Sequence, residues 1–163
     1  GGFPSRYLAQ FGIEGSGITQ GQTSYRWFVE AAGTSCDVVK SEVRYNCAYR
    51  QSIYDSGYTY YGRIIGHGLD NDALVYSAGV VIVSSEGNTW QLLGRTGELN
   101  RVGADPDHSV AIVPQDLESF DIQHSRSTKV GRFDIGIGDE RREIQATGNS
   151  TDDTRAFIRW TSR

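Results

Sequence analysis

Hydrophobic and polar positions alternate along most of the chain, with a period of two far more often than one of 3.6. Tyr25, Trp27 and Val29 alternate with Arg26, Phe28 and Glu30, so residues 25–29 read as a strand with two apolar faces or as a short helix. Residues 73–83 form a long β-branched run, the mark of a buried strand or a bent pair. Residues 84–88, Ser-Ser-Glu-Gly-Asn, read as a turn. Short alternating segments follow at 89–93, 109–113, 119–123, 130–135 and 155–160, each bounded by Gly, Asp, Asn, Ser or Pro. Such spacing predicts an all-β chain, built as an antiparallel β-sandwich of jelly-roll type or as a barrel of short strands. Only residues 114–120, opened by Pro114 with acids close behind, read as helical, so at most one or two short helical turns are expected.

Composition narrows the class. The 163 residues include 20 Gly, 3 Pro, 2 Cys and no Met, and 37% are hydrophobic and 22% charged. These values describe a single globular β-domain over residues 1–163, long enough to bury roughly 70% of its unfolded surface. The net charge is -4 with no basic block, which argues against nucleic acid and anionic membranes as partners. The longest apolar run, residues 78–83, is far shorter than the roughly 20 residues a membrane-spanning helix requires, so no membrane span is expected. The start Gly1-Gly2-Phe3-Pro4 has neither a charged region nor an apolar one, and no Met precedes it. The chain reads as a mature product that has lost a signal or pro-segment, or as one carrying a tag scar.

Cys36 and Cys47 add a compartment. Folding the intervening segment about Ser41 and Glu42 places Lys40 opposite Val43, Val38 opposite Tyr45 and Cys36 opposite Cys47. Opposed cysteines on neighbouring strands can be bridged, and the bridge implies an oxidising, extracellular location; two separate buried thiols are the other reading. Zinc does not fit, because no further ligands stand at metal-knuckle spacing.

Catalytic signatures are absent from the spacing. His67, His108 and His124 lie in or near expected turns, without the His-x-His or His-x-x-x-His pairs that preset a metal face. No Gly-x-Ser-x-Gly elbow occurs, and nothing singles out two of the twenty acids as a catalytic pair. The turns around Asp70 and Asp72, and around Asp105 and Asp107, cluster oxygens of the kind calcium prefers. Neither has EF-hand spacing and turns favour these residues anyway, so no cofactor is expected.

The tyrosines stand out. Six of nine fall between Tyr45 and Tyr61, interleaved with Arg, Asn, Gln, Ser, Asp and Gly. Tyrosine among such residues is the chemistry of recognition surfaces: stiff aromatic area stacks on a sugar or protein partner while polar neighbours read it. Strand alternation about Tyr58 turns some of these rings inward. Tyr49, Tyr54 and Tyr58 are the expected ligand contacts, with Arg50 and Asp55 as polar partners, while Tyr45 and Tyr61 are structural. The resulting expectation is a secreted or surface-exposed ligand-binding β-domain of lectin or adhesin type, taking a glycan or a protein receptor. A self-assembling subunit of a virion, pilus or other secreted assembly is the alternative. A secreted enzyme or toxin with a site invisible in the sequence is a third class.

Overall fold

The computed structural model describes residues 8–36, 45–47, 59–60, 63–64 and 68–162. Among them the chain is all β, with one 3₁₀ turn at Arg101–Gly103. Seven strands form one antiparallel sheet: β1 (Ala9–Ile18), β2 (Ser24–Gly33), β5 (Leu74–Val83), β6 (Thr89–Leu99), β7 (Gln115–Thr128), β8 (Gly131–Ile144) and β9 (Ser150–Thr161). They are neighbours in that order, as an up-and-down meander, and the sheet is not closed. The short strands β3 (Thr59–Tyr60) and β4 (Arg63–Ile64) pair with each other inside the β2–β5 connection.

The antiparallel β class read from the alternation is the one observed. The seven strands of the sheet run to 10–14 residues rather than five or six, and they make one layer rather than two facing sheets. Residues 114–120 do not form a helical turn: β7 begins at Gln115, and its backbone pairs with β6 on one side and β8 on the other. Residues 109–113 are not a strand, because Ala111 is held as a buried plug beside Leu99 and Leu117 in the β6–β7 connection.

Register defines two faces. Tyr25, Trp27 and Val29 on β2 share a face with Ile13 and Phe11 on β1 and with Ile82, Val80 and Ala78 on β5. The same face continues through Trp90 and Leu92 on β6, then Ile122 and Phe120 on β7. It ends with Phe133, Ile135 and Ile137 on β8 and Trp160, Ile158 and Ala156 on β9. These side chains are largely open: Phe11 is 69% exposed, Ile13 64%, Ile158 79% and Trp160 56%. The opposite face is ionic. Arg155 bridges Asp121 at 2.8 Å, Arg142 bridges Glu140 at 2.7 Å, and Asp134 sits between Arg132 at 2.8 Å and Arg159 at 3.1 Å.

Glycine serves close approach on both faces. A Cβ on Gly15 would come within 2.9 Å of the Trp27 indole, and one on Gly136 would collide with the Phe157 ring. Each aromatic therefore lies across the glycine opposite it, which pins the local register.

The small apolar core is at one end. Ala73, Val75, Leu99, Ala111 and Leu117 form it, with Leu69 and Val110 packed against it. That is the end where the long connections lie, residues 34–73 and 100–114, together with 145–149; the short turns at 19–23, 84–88 and 129–130 close the other end.

Candidate functional site

The long connections are tied together by a buried polar knot. Its turns are written in Asp and Asn for a backbone reason: Asn46, Asp70, Asp72 and Asn100 hold φ of 48°, 67°, 52° and 48°. This left-handed region is more accessible to Asn and Asp than to other non-glycine residues.

Asp70 Oδ2 accepts from the backbone N–H of Ser109 at 2.6 Å and from its hydroxyl at 2.5 Å, joining the two connections. Asn71 Nδ2 donates to Asn46 Oδ1 at 3.0 Å and to Asp105 Oδ2 at 3.4 Å. His108 is locked by its own turn. Its Nδ1 accepts from the N–H groups of Val110 and Ala111, at 3.2 and 3.0 Å, so Nε2 carries the proton given to the Asn71 carbonyl at 2.7 Å. Asn100 Nδ2 donates to the carbonyls of Asp105, Ala111 and Ile112 at 2.9, 2.9 and 3.2 Å, while its Oδ1 accepts from Asp105 N at 3.2 Å.

Above this knot lies the cysteine loop. Cys36 and Cys47 are bonded, with Cα atoms 6.2 Å apart, as the opposed spacing predicted. Asn46 N–H donates to Asp72 Oδ2 at 2.7 Å. The Arg101 guanidinium stands 5.6 Å from the centre of the Tyr45 ring and reaches Ser35 Oγ at 3.1 Å and Glu98 at 3.2 Å. Both ends of the disulfide loop are thus fixed to the β6–β7 connection. The chain leaves Cys47 from an anchored position.

Asp72 is the strained member of the knot. Its side chain is fully buried, yet Oδ1 has no hydrogen-bond partner. Burial raises its carboxyl to about 6, opposed by the Asn46 N–H and reinforced by the negative charge of Asp105. The folded state therefore holds a proton more tightly than the unfolded chain between about pH 6 and the ordinary carboxylate range, and this residue's contribution to stability rises as pH falls through that window. Asp72→Asn keeps an acceptor for Asn46 and removes the charge. We expect the variant to melt above the parent at pH 7.5, by roughly 1 kcal/mol, with the difference shrinking toward pH 5. A gap that stays constant across pH would contradict the assignment.

The residues expected to contact ligand, Tyr49, Arg50, Tyr54, Asp55 and Tyr58, lie outside the described residues, as do Tyr61 and His67. His108 and His124 do not converge. His124 lies on the apolar face of β7, its ring 4.3 Å from that of Trp90, far along the strand from the knot. Among the described residues no group of three or more His, Cys, Asp or Glu is placed to hold a metal. Asp70 is taken up by backbone and hydroxyl donors, and Asp105 Oδ1 accepts from Asp107 N at 3.0 Å.

The sequence reading missed the knot as a unit because its side chains stand up to 63 positions apart, from Asn46 to Ser109. The density of Asn and Asp in turns on both sides of β5 and β6 was the available signal.

Comparison with known proteins turns on the family level. The family model described as capsule assembly protein Wzi matches residues 3–154. The chain belongs to that family. No curated protein and no solved structure matches it. Membership in a capsule-assembly family and the closed disulfide both go with a cell-surface, non-cytoplasmic location. Among the described residues no helix of this Wzi-family chain is long and apolar enough to cross a membrane.

Proposed function

We propose that this chain is part of the wall of a membrane β-barrel in capsule assembly, and that its long connections hold capsule polysaccharide at the cell surface. The one-sided apolar band carries the reading. A contiguous aromatic and aliphatic face of this extent is far larger than a water-soluble monomer leaves open, whereas lipid covers such a face. On β5 the band runs from Leu74 to Ile82, roughly 25 Å along the strand at about 3.3 Å per residue. Tyr25, Trp90, Phe133 and Trp160 stand at its short-turn margin, where barrels carry an aromatic girdle. The polar face then lines an interior, and lateral edges β1 and β9 pair with further strands, since unpaired backbone is not tolerated in lipid. The helix-length criterion does not apply to strands of this kind.

Short turns mark the inner side of such barrels and long connections the outer side. This orientation directs the disulfide loop and the tyrosine-rich segment after Cys47 to the cell exterior. There Tyr49, Tyr54 and Tyr58 stack on sugar rings, with Arg50 and Asp55 reading hydroxyls or acidic groups. The test is binding of purified capsular polysaccharide to the folded protein in detergent. Single alanine variants at Tyr49, Tyr54 and Tyr58 are expected to weaken binding by about 1–3 kcal/mol each, with little change in melting temperature. Unchanged binding in all three would remove this segment from the polysaccharide site.

A further inference from the structure

The apolar face is not flat. Near its long-connection margin a cleft of about 630 Å³ opens over β5–β8, walled by Tyr76 and Phe120 and floored by Ala78 and Gly94. Its rim carries Glu118, Asp139 and Arg141. Gly94 is the reason the floor is deep: a Cβ there would meet nothing closer than the Ser119 carbonyl at 4.0 Å, so no neighbour excludes a side chain from this position. A second cleft, about 730 Å³, lies lower on the same face between Trp90, Ile122, Ile137 and Ala156. Phe120 of the first and Ile122 of the second are successive outward residues of β7, so the two depressions follow one another down that strand. From Glu118 to His124 the distance is roughly 20 Å, about the length of an extended acyl chain.

The rim chemistry selects a headgroup. Arg141 faces Glu118 in register across β7 and β8, yet its guanidinium turns to Glu143 at 3.1 Å. Asp139 accepts from the Thr154 hydroxyl at 2.6 Å. Among the described residues no hydrogen bond or ion pair engages Glu118. The mouth is therefore a carboxylate-bearing rim over two aromatic walls, with Arg141 to one side and Arg95 also in the lining. Carboxylates and ring faces together attract an ammonium group, and the guanidinium suits a phosphate next to it.

We propose that this furrow binds one phosphoethanolamine lipid lengthwise. Its ammonium lies between Glu118 and Asp139 above Tyr76 and Phe120, its phosphate lies toward Arg141, and one acyl chain lies past Gly94 and Ile122 into the lower cleft. The proposal rests on the membrane reading above. Native mass spectrometry of the detergent-purified protein, titrated with phosphatidylethanolamine, phosphatidylglycerol and a diglucosyl lipid of matched acyl chains, tests it. Phosphatidylethanolamine is expected to be retained at least tenfold better than the other two. Glu118→Gln combined with Asp139→Asn should erase the preference, and Gly94→Leu, which fills the floor, should abolish retention. Equal retention of the three lipids, preference for the sugar headgroup, or a Gly94→Leu variant that binds as the parent does would each overturn it. Flotation with vesicles in parallel separates the two ideas: protein that does not float refutes the membrane reading, whereas protein that floats without headgroup preference refutes the furrow alone.

Discussion

Ile137→Arg should cost about 2–4 kcal/mol of folding stability in lipid vesicles, the penalty of a guanidinium near the middle of the apolar layer. Ile137 is 53% exposed in the sheet, with Ile122 and Ala156 as its cross-strand neighbours on the same face. On a water-soluble surface the same change would fall within about 0.5 kcal/mol, because an open side chain loses little packing. Gln123→Arg provides the control. It lies one residue from Ile122 on the ionic face, opposite Gly136, and should change stability by less than 1 kcal/mol. Urea titrations of the reconstituted protein measure both. Equal small effects at the two positions would show that the apolar face meets water, and the barrel reading would fall with them.

The second large effect is expected at Asn100. Its amide serves three carbonyls of the β6–β7 connection, two of them buried and that of Ile112 half-buried, and its oxygen serves the buried Asp105 N, while its backbone occupies the left-handed region. Asn100→Ala strands these carbonyls without a donor and places alanine where φ is 48°. Each loss is of order 1–3 kcal/mol, and together we expect about 3 kcal/mol. Asn100→Asp keeps the acceptor for Asp105 N but turns a buried carboxylate oxygen on the same carbonyls, so at neutral pH it should melt no higher than the alanine variant. Thermal melts give the magnitude, and limited proteolysis should show earliest cleavage within residues 100–114. An alanine variant that melts with the parent would mean that solvent, not Asn100, satisfies those carbonyls.

Period-two alternation made the strand class legible because every second side chain really does share a face, as at Tyr25, Trp27 and Val29. Strand ends were not legible, and β8 shows why. The segment reads as a strand only over 130–135, because Gly136, Gly138 and a run of charges follow, with Ile137 the one large apolar residue before Ile144. In the sheet Gly136 receives the Phe157 ring, Gly138 lies beneath the Asp121–Arg155 bridge, and Glu140 and Arg142 pair on the ionic face. Residues that look like loop are thus strand residues on the ionic face, and the element continues to Ile144.

The same inversion hid the core. The β-branched run 73–83 reads as a buried strand or a bent pair, yet Tyr76 and Val81 on it are open, while Asp70, Asn71 and Asp105 are buried. Of the chemistry, the cysteine pair was visible from local spacing alone. The knot was not, since it depends on two connections meeting after β5 and β6 have returned the chain to the same end.

The pairing of glycine with aromatic and of acid with base bears on how the sheet assembles. A strand displaced by one position would turn its arginines and aspartates into the apolar layer. One displaced by two would keep the faces but, in one direction, set Trp27 against Ile13 and Phe157 against Asp134 instead of the open positions Gly15 and Gly136, and in either direction a shift of β9 would part Arg155 from Asp121. In β1–β2 such errors are penalised within the hairpin itself, whereas the Asp121–Arg155 bridge acts once β7, β8 and β9 have met. The β1–β2 hairpin, with its short turn, thus carries a register check of its own as it forms, while at the other end of the sheet the strands are joined by connections whose buried Asn and Asp tie them to one another.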